Sequence, residues 1–170
     1  MRKHTTLATT FAALALVGAV GAARADQTVK ARLHAFNEVP AISSTGSGEF
    51  RATIHEDSVD WELSYEGLEG TVTTAAHIHL GQKDVNGGVS VFFCGGPTTD
   101  PCTPGSGSFR GTFTVADVVG PTAQGIAPGE PSALSELIAA IRAGQTYVNV
   151  HTNKHPGGEI RGQVREDSSR

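Results

Sequence analysis

The chain has 170 residues with 13 basic against 17 acidic side chains, a formal net charge of −4. A negative balance disfavours a nucleic-acid partner, which calls for a concentrated basic face. The length suits one core rather than several, and a hydrophobic share of 38% suffices to fill it.

At the start, Arg2 and Lys3 precede an apolar stretch from Leu7 to Val20 and the small-residue ending Ala23-Arg24-Ala25, the three-part pattern of a secretory signal peptide. This stretch falls short of the roughly 20 residues a spanning helix needs, and no later run comes near that length, so no membrane span is expected. The expectation is a leader over residues 1–25 and one domain over residues 26–170, soluble in the periplasm or the medium. Without Arg2, Lys3 and Arg24 the domain carries ten basic residues against 17 acidic ones, a formal charge of −7.

From Val29 to Val164, short stretches with period-two alternation recur between Gly, Pro, Asn and Asp, the mark of an antiparallel all-β domain. Val29 to Phe36 is the first predicted strand. Glu49 to His55 and Ser58 to Tyr65 flank a tight Glu56-Asp57 turn as a hairpin, with Val59, Trp61, Leu63 and Tyr65 on one face as core candidates. Thr73 to Leu80 and Val89 to Cys94 follow. The two cysteines, Cys94 and Cys102, bracket a turn-rich run and are expected to pair after export. A pair of thiolate metal ligands is the alternative. Ser108 to Val115 is the next strand, then a long crossover loop over 119–129. Pro131 to Ala143 breaks the β pattern: Leu134, Leu137, Ile138 and Ile141 recur at helical spacing ahead of a Gly144 stop. Thr146 to His151 and Glu159 to Val164 complete about eight strands, enough for two packed sheets or a flattened barrel.

Within Ala76-His77-Ile78-His79-Leu80, alternate side chains share a face. Ile78 and Leu80 point to the core, so His77 and His79 stand on the outer surface of the sheet. Their Cα atoms lie roughly 6.6–6.8 Å apart, close enough for both rings to reach one ion about 2 Å from each nitrogen. Tyr147-Val148-Asn149-Val150-His151 repeats the pattern, with Asn149 and His151 outward. The last strand sends Glu159, Arg161 and Gln163 outward too. Three imidazoles match in type and number what copper or zinc requires. Copper is favoured over zinc, and Asn149, Glu159 and Arg161 are candidates for orienting the ligands. His155, in the turn after His151, is either a fourth ligand or a loop residue, the latter favoured; His34 and His55 are read as surface residues. The competing reading is that the histidines are ordinary polar groups and the domain is an extracellular interaction or structural module without metal. There is no Gly-x-Ser-x-Gly elbow and no phosphate-cradling glycine loop.

The run Ala76-His77-Ile78-His79-Leu80-Gly81, followed by Tyr147-Val148-Asn149-Val150-His151-Thr152 and then Pro156-Gly157-Gly158-Glu159-Ile160-Arg161-Gly162-Gln163, resembles the chordin-domain (CHRD) family. Leu33 through Glu38-Val39-Pro40, Tyr65-Glu66-Gly67-Leu68, Phe93-Cys94-Gly95-Gly96 and Ile141-Arg142-Ala143-Gly144 fit the same resemblance. It implies an immunoglobulin-like, Greek-key β-sandwich with one short helix. The His-x-His strand is also similar to the copper-ligand strand of Cu/Zn superoxide dismutases. No counterpart of their zinc-binding loop is visible between Gly81 and Phe109, so a two-metal dismutase is not implied.

Overall fold

Alternating side chains, apolar inward and polar outward, need a partner sheet to bury the apolar set. In the computed structural model, which describes residues 26–168, these runs form nine strands. They are β1 (Gln27–His34), β2 (Ser47–Ile54), β3 (Val59–Glu66), β4 (Thr73–Leu80), β5 (Gly88–Cys94), β6 (Gly107–Phe113), β7 (Thr146–Thr152), β8 (Ile160–Gln163) and β9 (Arg165–Glu166). The leader predicted over residues 1–25 lies outside the described residues.

The strands follow one hydrogen-bonded path, β5-β4-β7-β8-β1-β2-β3-β6, with β9 added on β1, and the pairings are antiparallel. The path curls over a common core until its ends approach each other. Phe93 of β5 packs on Phe50 of β2 at 5.2 Å and on Trp61 of β3 at 4.5 Å between ring centroids. The fold is therefore all-β and sandwich-like, nearly closed into a barrel. Val59, Leu63 and Tyr65 are buried as expected, whereas Trp61 is half-buried at this seam.

The predicted helix is α1 (Ala133–Arg142), which turns Ala133, Leu134, Leu137, Ile138 and Ile141 into the core. Gly144 ends it at φ +68°, where its N–H and that of Gln145 donate to the Ile141 and Ala140 carbonyls at 2.9 Å. This paired closure needs a left-handed residue after the helix, and glycine adopts it without steric cost.

Cys94, at the end of β5, is joined to Cys102 by a disulfide with Cα atoms 5.0 Å apart. Closing so short a loop restricts the unfolded chain by roughly 2.5 kcal/mol. A Cys94→Ser/Cys102→Ser variant is accordingly expected to lose about that much in urea unfolding, with the sheet intact by far-ultraviolet circular dichroism.

Candidate metal centre

β4 lies between β5 and β7, and its register sets the site. His77 stands opposite Asn149, His79 opposite Tyr147, and Ala75 opposite His151. Residues directly opposite share a face, so the three imidazoles, Asn149 and Tyr147 occupy the outer face, as alternation predicted, while Ala76, Ile78, Val148 and Val150 fill the core. Register shifts on the β5 side fall between Ala76 and His77 and between Ile78 and His79. Such irregularities re-aim side chains beside functional sites, and here they bracket His77.

One expectation needs correction. The outer face is not a solvated surface: His77 and His79 are only 6% and 7% exposed, Arg161 2% and Glu159 0%. Loops fold over it. The loop over 81–87 is held by Arg161, which donates to the Val85 carbonyl at 2.7 Å, the Gln82 carbonyl at 3.3 Å and Asn86 Oδ1 at 3.0 Å. Asn86 in turn donates to the Val39 carbonyl at 3.0 Å, tying this loop to the segment between β1 and β2.

The ring contacts gather the histidines. His77 lies 4.5 Å from both His79 and His151 between centroids, with Phe92 edge-on at 5.1 Å. One nitrogen from each imidazole falls within 4.8 Å of the others. Nitrogens sharing one ion at 2.0–2.1 Å stand at most about 4.2 Å apart, so ring rotations of roughly half an ångström close the set.

Tautomers follow from the hydrogen bonds. His79 Nδ1–H donates to the Gly87 carbonyl at 2.9 Å, and His151 Nδ1–H donates to the Pro156 carbonyl at 2.8 Å. A neutral imidazole has one N–H, so Nε2 of each carries a lone pair. Nε2 of His151 and Nδ1 of His77 are buried and have no hydrogen-bond partner among the described residues. His79 Nε2 sits 3.1 Å from Asn149 Oδ1, lone pair against lone pair, which a cation or a turned amide relieves.

Electrostatics keep the rings neutral. Burial, aided by the neighbouring His79 and His151, pushes His77 down to about 2. Burial also takes His79 to about 4 and lowers His151. A buried, unprotonated imidazole is the form that binds a metal ion. Beside the site, burial raises the Glu38 carboxyl to about 7, against the opposing charge of Arg161 and the Val39 and Asn149 N–H groups.

Of the other predicted residues, Asn149 touches His79, and Arg161 lies over the Tyr147 ring with its guanidinium carbon 3.4 Å from the centroid. Glu159 is turned away: its carboxylate accepts from Ser44 Oγ, the Glu69 amide and Thr152 Oγ1, each at 2.6 Å. His155 sits in the 153–158 turn outside the three-nitrogen group, its backbone amide donating to Thr152 Oγ1 at 3.2 Å. His34 is exposed, and His55 bonds Asp26 and Asp60 at 3.1 Å each. Sequence reasoning passed over Glu38 and Tyr147. Tyr147 shares the face of Asn149 and His151 by simple alternation, while Glu38 carried no signal of burial.

Among the described residues no helix is long and apolar enough to cross a membrane. No curated protein and no solved structure matches the chain. The sequence model of the CHRD domain matches residues 29–164, which take in β1 from Val29 onward, all of β2 to β8 and every histidine of the site. This chain belongs to the CHRD domain family.

Proposed function

We propose that this chain is an exported metal-binding protein whose ion is copper, held by His77, His79 and His151. The observation that carries this reading is the convergence of three imidazoles, His77 and His79 buried and His151 half-buried, with two nitrogens left unpartnered, one on His77 and one on His151. Leaving buried polar nitrogens unpaired costs about 1–3 kcal/mol each, so a site built this way fits a cation. An all-imidazole set suits copper and zinc, and divalent affinities rank copper above zinc. Export rests on the leader pattern at residues 1–25. Bound copper would be either cargo or a one-electron centre; carriage requires nothing beyond the three ligands and is the reading adopted. Asn149 is placed to orient His79, Arg161 acts through the covering loop, and His155 stays outside the ligand set.

A second reading, an interaction or structural module without metal, draws support from Glu159 and Arg161, whose bonds run to loops rather than to the histidines. The two part in one experiment. The protein of residues 26–170 is loaded with Cu(II) or Cu(I), dialysed, and its metal counted by mass spectrometry. About one copper per chain is expected, falling to near zero in His77→Ala/His79→Ala. Wild-type protein that emerges metal-free, or a double variant that holds as much copper, overturns the metal reading. A dismutase assay on the loaded protein then separates carriage from turnover.

A further inference from the structure

We propose that Tyr147 is the positioning residue for His79, clamping Gly87 by its hydroxyl so that the Gly87 carbonyl fixes which imidazole nitrogen faces the three-histidine centre. The tautomer part of this inference stands on hydrogen bonds alone; its consequence for metal rests on the copper reading above.

The chain of contacts is short. Tyr147 lies directly across from His79 in the β4–β7 register, and the two rings are stacked at 4.5 Å with only 5° between their planes. The opposite face of the phenol is covered by the Arg161 guanidinium. Arg161 is itself bonded to the backbone of the 81–87 loop at Gln82 and Val85. The phenol is thus held flat between a cation that is anchored and an imidazole that has to be aimed. Guanidinium over an aromatic face is attractive, more so when desolvated, and Tyr147 is buried.

The hydroxyl completes the device. The Gly87 N–H donates to Tyr147 Oη at 3.2 Å, and the Gly87 carbonyl accepts from His79 Nδ1–H at 2.9 Å. One peptide residue is therefore held at its N–H by the phenol and spends its C=O on the imidazole. Gly87 has to be glycine: a Cβ there would overlap the Leu80 carbonyl oxygen. With Nδ1 protonated and spent, Nε2 of His79 carries the lone pair and is the nitrogen left to join the three-histidine group. Outer partners of this kind raise ligand basicity and select the tautomer, and losing one typically costs 10–100-fold in metal affinity.

The test compares wild type with Tyr147→Phe, which keeps the stacked ring and loses only the hydroxyl, and with Tyr147→Leu, which loses both. Nitrogen-15 correlation spectra of the metal-free protein read the tautomer directly. Wild type is expected to show His79 as the Nδ1–H form, and Tyr147→Phe a mixture of both forms, with the thermal midpoint little changed. In Cu(II) titrations Tyr147→Phe is expected to bind about 10-fold more weakly, with altered copper hyperfine splitting in its electron paramagnetic resonance spectrum, and Tyr147→Leu more weakly still. Wild-type His79 in the Nε2–H form overturns the inference without any variant. So does a Tyr147→Phe protein whose tautomer, affinity and spectrum all match wild type. Wild-type protein that binds no copper overturns the copper reading instead, and leaves the tautomer comparison to decide this one.

Discussion

Glu159→Ala is expected to lose about 3 kcal/mol of folding stability, read as a shift of the urea midpoint at neutral pH. The side chain is 0% exposed, and its carboxylate accepts three hydrogen bonds from three separate stretches: Ser44 ahead of β2, the Glu69 amide beyond β3 and Thr152 at the end of β7. Burial alone would push this carboxyl upward, yet the three donors outweigh it and hold it below the usual range. Removing the acceptor strands three donors, one buried at Thr152 and two part-buried at Ser44 and Glu69, and each orphan carries its own desolvation cost. A domain of this size has only about 5–15 kcal/mol in hand, so the variant approaches the limit of folding. Glu159→Gln keeps one carbonyl acceptor and should lose less than half as much. A Glu159→Ala midpoint within 0.5 kcal/mol of wild type would show that the three loops hold without it.

The second large effect is a response to acid. Folded His77 and His79 titrate at about 2 and about 4, against 6.5 in an unfolded chain. Below pH 6.5 the unfolded chain takes up protons that the folded one refuses, so stability present above 6.5 is lost as pH falls. By pH 4.5 each histidine accounts for about 3 kcal/mol. Glu38 works the other way. Its carboxyl is at about 7 when folded and 4.5 when unfolded, so the folded state holds the extra proton in that window. Moving from pH 7 to 4.5 therefore returns about 3 kcal/mol from Glu38. Metal-free wild type is expected to lose about 3 kcal/mol or more across this interval, the lowered His151 adding in the same direction, and Glu38→Gln about 3 kcal/mol beyond that, compared by urea midpoints at pH 7 and 4.5. Equal losses in the two proteins would show that folding does not raise the Glu38 carboxyl.

The strands were legible because alternation reports facing. Val148 and Val150 face the core and Asn149 and His151 face away, which is what a period of two dictates. The α1 helix and its Gly144 stop were legible for a similar reason, since period and breaker agree. Cover was not legible. Alternation says which side of a sheet a histidine takes, not whether another segment lies over it, and here the cover comes from stretches far apart in sequence that meet only through bonds such as Asn86 to Val39. Burial in turn is what lowers the imidazoles and raises Glu38. The register shifts around His77 are likewise a property of the pairing with β5 rather than of the β4 sequence. At the other end of the chain, the strand expected over Glu159 to Val164 proved to be β8 followed by a break at Val164, whose N–H turns to the Thr146 carbonyl at 2.9 Å.

The register also decides how the domain faces its surroundings. His34 pairs with Arg161, Arg161 with Asn149, and Asn149 with His77, so one transverse row carries the end of β1 into the centre. The other end of β1 receives β9, with Val29 opposite Glu166, and the Asp167 N–H reaches the Thr28 carbonyl at 2.9 Å. Both ends of the described chain therefore emerge together, about 20 Å along β1 from that row at the usual rise per residue. Anything joined at residue 26 or 168 therefore starts from the pole opposite the imidazoles, whose cover is made by the domain's own loops.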